Sequence, residues 1–256
     1  MVLFNSFQSE WIKKKNSSAS WLTIIGAFFI PLIILTKRIL DPQTLAEQNA
    51  SAKIWHMLYN QCWQYMSVFV LPMGIILTAS LITQLEFRNN AWKQVHTTPQ
   101  SFTVLFLAKF CITLTMLVQF FLLFNLGIVL TGILPALIFP NVPFPKQDFP
   151  FQPFLAGNAK FFLYSLPILS LQYLLSLHIR NFMVPIGVGF AMVIASLIAV
   201  SWKYGYLLPY TYCSKQFLLN DNRIDPDVNI YAWSTGYFVL FTTLNFLLYI
   251  SRKSRG

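Results

Sequence analysis

Residues 110–141, FCITLTMLVQFFLLFNLGIVLTGILPALIFPN, contain no Asp, Glu, Lys or Arg. A helix rises about 1.5 Å per residue, so some 20 apolar residues cross a hydrocarbon core of roughly 30 Å. This run is long enough to do so, and five others of the same kind flank it. Trp21–Thr36 is uncharged, with apolar character resuming at Ile39 and Leu40. Ile54–Leu85 is uncharged, densest from Val68 to Ile82, and Phe161–Leu177, Asn181–Trp202 and Ile230–Ser251 complete the set. One charge at mid-bilayer costs roughly 2.5–3.5 kcal/mol, whereas each Leu, Ile, Phe or Val contributes about −0.3 to −0.6 kcal/mol. Fifteen such residues are therefore favourable by several kcal/mol, and a single central charge would cancel much of that.

Composition agrees: 56% of the 256 residues are hydrophobic and 10% charged, against roughly 25% charged in soluble domains. A soluble all-α protein with a large core would keep polar helix faces, and these runs have none. Barrel strands would alternate apolar and polar residues over about ten positions, which is not seen. The expected fold is an all-α integral membrane protein of about six transmembrane helices. Its spans fall roughly at 20–40, 62–84, 102–134, 158–178, 182–204 and 230–251, within one transmembrane domain over 1–256.

The basic clusters Lys13–Lys15 and Arg252, Lys253, Arg255 flank the first and last spans. They put both termini on the cytoplasmic side of the inner membrane. No A-x-A-like site follows the first run, so it is expected to be retained rather than cleaved. Ahead of it, Phe4, Phe7 and Trp11 share one helical face, with Ser6, Glu10 and the lysines around them. That pattern suits an interfacial amphipathic helix over 1–16 lying on membrane lipid; the alternative is an unstructured tail. Pro135–Gly157 holds six of the fourteen prolines interleaved with phenylalanines, and reads as an extended connector at the outer surface. Tyr206–Asn229 reads as the other outer loop. Pro72, Pro167 and Pro185 lie within spans, each a static kink or a hinge. Cys62 and Cys213 fall on the outer side, either as a disulfide or as small apolar fillers.

Much chemistry is missing. No G-x-x-x-x-G-K-[ST] loop is present, so the chain does not hydrolyse ATP itself. His56, His96 and His178 are scattered and no H-E-x-x-H occurs, so no metal is expected. The spans lack the carboxylates that ion-coupled carriers and intramembrane proteases require. No cofactor and no nucleic-acid partner are expected.

The distinctive segment lies between spans two and three: residues 84–101, QLEFRNNAWKQVHTTPQS, leading to Lys109. At 100° per residue Phe87, Ala91, Trp92 and Val95 share one arc, and Asn89, Asn90, Lys93, Gln94 and His96 fill the opposite one. Pro99 disfavours helix at Thr98 and ends it there. The result is a short amphipathic helix between two spans, which by itself could equally lie on the membrane surface.

Here the sequence resembles the membrane subunits of type-2 ABC transporters. In that family the first cytoplasmic loop runs from an acidic residue near the end of span two, through a short helix, to a T-P element and then a Lys opening span three. Glu86, the Arg88–His96 helix, Thr98-Pro99 and Lys109 match that order. Glu10-Trp11-x-Lys13-x-Lys15, Trp21-Leu22-x-x-x-Gly26 and Pro31-Leu32 are similar to the opening of lantibiotic-immunity and multidrug export permeases. The sequence departs from many relatives in a polar, Asn-rich loop where they carry E-x-G-T. The resemblance implies a permease that exports an amphipathic or lipophilic substrate, with a separate ABC ATPase subunit docked on a coupling helix. In it Glu86 and Arg88 orient the helix, Trp92 is the buried anchor and Lys93 a rim contact. It also implies a second permease copy or related permease as partner. The competing class is a non-transporting assembly or receptor-like membrane protein, which would need no ATPase.

Overall fold

The computed structural model describes residues 2–15, 17–88, 102–179, 181–218 and 228–251. Their regular structure is helical throughout. A short helix, α1 (Val2–Lys15), leads into α2 (Ser18–Leu40). After α3 (Pro42–Ala50) the chain returns through α4 (Ile54–Tyr65) and α5 (Leu71–Arg88), joined by a π turn over Met66–Val70. Then come α6 (Phe102–Ile138), α7 (Phe151–His178), α8 (Met183–Ala199), the single turns Gly205–Leu207 and Pro209–Thr211, α9 (Tyr212–Leu218) and α10 (Ile230–Ser251).

Five elements are long and apolar enough to cross a membrane: α2, the α4–α5 unit, α6, α7 and α10; α8 is a shorter sixth apolar helix. This is an all-α integral membrane protein. Contacts fix the direction of each traverse. Phe120 faces Gly26 and Gly127 faces Pro31, so α2 and α6 run parallel. Trp63 stacks on Phe161 and Ser80 meets Ser176, so α4–α5 runs parallel to α7. The end bearing α1 and the start of α6 is called proximal below, and the opposite end distal.

The prolines explain most irregularities. Pro72 offers no N–H and its ring crowds the preceding turn, and there the backbone widens so that Leu71 N–H donates to Met66 C=O. Pro167 leaves the Leu163 carbonyl without its helical donor, and Ser234 Oγ on α10 donates to it at 2.6 Å. Pro135 frees the Thr131 carbonyl in the same way, and the Arg38 guanidinium of α2 takes it. With that carbonyl capped, α6 continues past Pro135 to Ile138 instead of ending near 134. Pro153 sits in the first turn of α7, where no intrahelical donor is lost, so the proline-rich connector narrows to residues 139–150. Pro185 likewise falls in the first turn of α8.

Polar side chains are turned inward, the arrangement expected when lipid is the solvent. Asn125 on α6 and Asn158 on α7 exchange two amide hydrogen bonds, at 3.0 and 2.8 Å. Each also donates to the carbonyl four residues before it. At the distal end Arg38 donates to Gln48 and Asn49, while Asn49 and Trp55 donate to the carbonyls of Pro143 and Gln147. These bonds pin the connector onto the helix ends. Beside the Asn125–Asn158 pair Trp63 is fully buried, stacked on Phe161 at 4.0 Å and edge-on to Phe124 at 4.9 Å.

Of the expected outer loop Tyr206–Asn229, the described part up to Leu218 is folded back onto the protein. Gly205 folds its backbone against the Ala199 carbonyl, where any side chain would collide. The two turns and α9 then pass back between α7, α8 and the π turn, and Tyr210, Thr211, Tyr212, Cys213 and Ser214 are all buried. Cys62 and Cys213 are both free and buried. They act as apolar fillers, not as a bridge.

Candidate functional site

The connecting segment follows one long helix in the chain and precedes another. α5 stays helical through Glu86 to Arg88, and α6 starts at Phe102. Trp92, Lys93, Thr98 and Pro99 lie outside the described residues. The structure thus places the backbone of Glu86 and Arg88 in the last turn of α5, just beyond the apolar stretch Ile54–Gln84.

α1 docks against the proximal part of α6. Its inward face is polar: Ser6 and Lys14 are buried, and Glu10 is nearly so. Lys14 Nζ donates to Gln119 Oε1 on α6 at 2.6 Å and lies 4.1 Å above the Trp11 ring. Burial lowers the pKa of Lys14, because it penalises the ammonium form. Glu10 Oε1 accepts from Lys13 at 2.6 Å and stands 3.6 Å from Lys109 Nζ. The three aromatic residues expected on one face behave unequally. Phe7 packs against the small cluster of Ala19, Ile82, Ile112 and Met116 and stacks with Trp11, while Phe4 is exposed. A helix over these residues is legible in the sequence, whereas the docking of Glu10 and Lys14 onto α6 is not.

In the middle of the bundle Gln172 is completely buried and joins four elements. Its amide nitrogen donates to the Pro185 carbonyl at 2.8 Å and to Ser80 Oγ at 3.4 Å, and its oxygen accepts from Tyr210 at 3.4 Å. Ser80 and Ser176 share a further bond at 3.0 Å. Gly189 makes this possible, since a Cβ there would stand 2.9 Å from both Gln172 Oε1 and Ile76. The node ties spans two, four and five to the re-entrant turns.

Between α2 and the α4–α5 unit lies an apolar hollow of about 210 Å³. Leu22, Gly26 and Phe29 form one wall, Phe69, Gly74 and Leu77 the other, and Phe120 of α6 lies at its floor. Nothing lies within 4 Å of the Cβ that Gly74 lacks, so glycine opens the space. Its lining carries threonine hydroxyls but no charge. Such a surface can hold an acyl chain or an aromatic group and offers no acid, base or nucleophile. Among the described residues no group of three His, Cys, Asp or Glu is placed to hold a metal ion.

A family model described as ABC-2 family transporter protein matches residues 6–196, well over half of the chain. No curated protein and no solved structure matches it.

Proposed function

The chain belongs to the ABC-2 transporter family, and from that membership we propose that it is the membrane permease of an ATP-driven exporter for amphipathic or lipophilic cargo. The cargo class is a membrane-active peptide, a lipophilic drug or a lipid-like molecule. The observation that carries it is the uncharged hollow between α2 and α5, which suits apolar groups and repels inorganic ions. ABC-2 permeases work with an ABC ATPase, and in this reading the ATPase seats on residues 84–101. Glu86 and Arg88 orient the coupling helix, Trp92 anchors it, Lys93 makes a rim contact and Thr98-Pro99 ends it. Two rigid flanking helices suit rigid-body transmission of ATPase closure into the spans. A second copy or a related permease completes the path. Both termini face the cytoplasm of the inner membrane, with Phe4 and Trp11 of α1 in the lipid interface and Phe7 turned onto the protein.

The test is co-purification in detergent with the ATPase encoded beside the chain, comparing wild type with Trp92→Ala and Glu86→Ala. Retention by wild type and loss from folded variants supports the reading. Absence of any ATPase bound to folded wild type overturns it.

A further inference from the structure

Lys109 presents a problem of charge. It lies two turns inside α6 and is 4% exposed, and burying an ammonium in low dielectric is costly unless an opposite charge is near. Its counter-charge comes from a different helix: Glu10, at 3.6 Å. Glu10 is itself held by Lys13, and the next turn of α1 is held by Lys14 on Gln119. α1 is then joined to α2 almost without slack. Ser17 N–H and Oγ both donate to the Lys14 carbonyl, at 2.9 and 2.8 Å, while Ser17 Oγ caps α2 by accepting from Ser20 N–H. The helix after that joint, α2, packs back on α6 through Gly26–Phe120 and Gly127–Pro31. α1, α2 and α6 form a closed triangle, and the Glu10–Lys109 pair closes its proximal corner.

We infer that Glu10 is a positioning residue for energy coupling: its ion pair with Lys109 makes α1 a strut that passes displacement of the proximal end of α6 to α2. This rests on the coupling role proposed for residues 84–101. Lys109 stands at the exit of that segment, and α2 supplies one wall of the apolar hollow. Motion entering at α6 therefore reaches that wall by two routes, through direct α2–α6 packing and through α1. The second route runs through two polar contacts, Glu10 with Lys109 and Lys14 with Gln119, and the first of them carries the charge. The arrangement also accounts for the burial of Ser6, Glu10 and Lys14, which follow one another at four-residue spacing along the side of α1 that meets protein.

The test is a charge-exchange cycle in the full chain: Glu10→Lys, Lys109→Glu and the double exchange, with Glu10→Asp as the conservative variant. Each is purified with the neighbouring ATPase and reconstituted in phospholipid vesicles, and permease-stimulated ATP hydrolysis is measured. Each single reversal is expected to keep the ATPase bound and its KM for ATP unchanged, but to lower stimulated turnover about tenfold. The exchange should restore turnover to within about twofold of wild type, and Glu10→Asp should retain it. If a reversal does not fold, Glu10→Gln takes its place and is held to the same expectation. Single variants that turn over like wild type, or an exchange that recovers nothing, overturn the strut. If wild type binds no ATPase, the functional reading fails separately. The strut is then judged by thermal unfolding of the same proteins in detergent, where the midpoints must fall in the single variants and recover in the exchange.

Discussion

Replacing Gly127 by alanine tests whether the α2–α6 crossing is as tight as it stands. The added methyl would lie 2.8 and 2.9 Å from Cγ and Cβ of Pro31 and 3.3 Å from a ring carbon of Phe28. Comfortable carbon–carbon separation is about 3.5–4.0 Å, so the helices must part by roughly 1 Å at their closest point. The Pro31 ring belongs to the backbone and cannot rotate away. Overpacking of this kind costs about 1–3 kcal/mol, against which alanine regains at most about 1 kcal/mol of helix propensity. The net loss is about 0–2 kcal/mol, or a fall in unfolding midpoint of up to about 8 °C for a chain of this size, and the gap to a glycine replaced without a clash is about 1–3 kcal/mol. Thermal unfolding in one detergent, followed by loss of monodisperse protein, measures it. Gly74→Ala is the control: with no atom within 4 Å it meets no clash and should unfold at or above the wild-type midpoint. A Gly127→Ala protein as stable as the Gly74→Ala control would refute the close-packing argument.

Other outcomes follow from the same geometry. Gly74→Leu should fill the apolar hollow without loss of stability and lower export of a lipophilic dye, measured in reconstituted vesicles. Ser234→Ala should cost about 1 kcal/mol in the wild type, where it orphans the Leu163 carbonyl, and almost nothing beside Pro167→Ala, which restores the helical donor. A double-mutant cycle on unfolding midpoints reads the difference. Asn125→Leu or Asn158→Leu alone should each cost about 1 kcal/mol, because the remaining amide oxygen loses its donor across the helices while its nitrogen keeps the carbonyl of its own helix. The double replacement should be close to neutral by the same measurement.

The spans were legible because charge-free runs such as 110–141 leave the chain no other solvent. Their ends were harder, since they are decided by distant donors. Pro135 reads locally as a helix stop, and the stop is lifted by Arg38, far away in sequence on α2. The run from Ile54 to Leu85 announced a long second span, but the π turn before Pro72 is a backbone response that hydropathy does not register. Tyr206 to Asn229 reads as an outer loop because Pro209, Pro226 and three acids interrupt it. The burial of Tyr210 to Ser214 within it comes from contacts with Gln172, Tyr164 and the π turn, which no local pattern encodes. The candidate site divided in the same way. Residues 84–101 were found from amphipathic arcs and the resemblance, whereas the partners of Glu10 and Gln172 became visible only once helices were side by side.

The shortness of α8 has a consequence for the surrounding bilayer. Its 17 residues reach about 25 Å, less than the roughly 30 Å of an ordinary hydrocarbon core. Where this helix meets lipid, acyl chains must compress to match it, at a cost of a fraction of a kcal/mol per Å. That cost changes whenever a conformational step tilts α8 or covers it. Bilayer thickness thus becomes a thermodynamic variable of the transport cycle, and lipids of different chain length should weight its states differently.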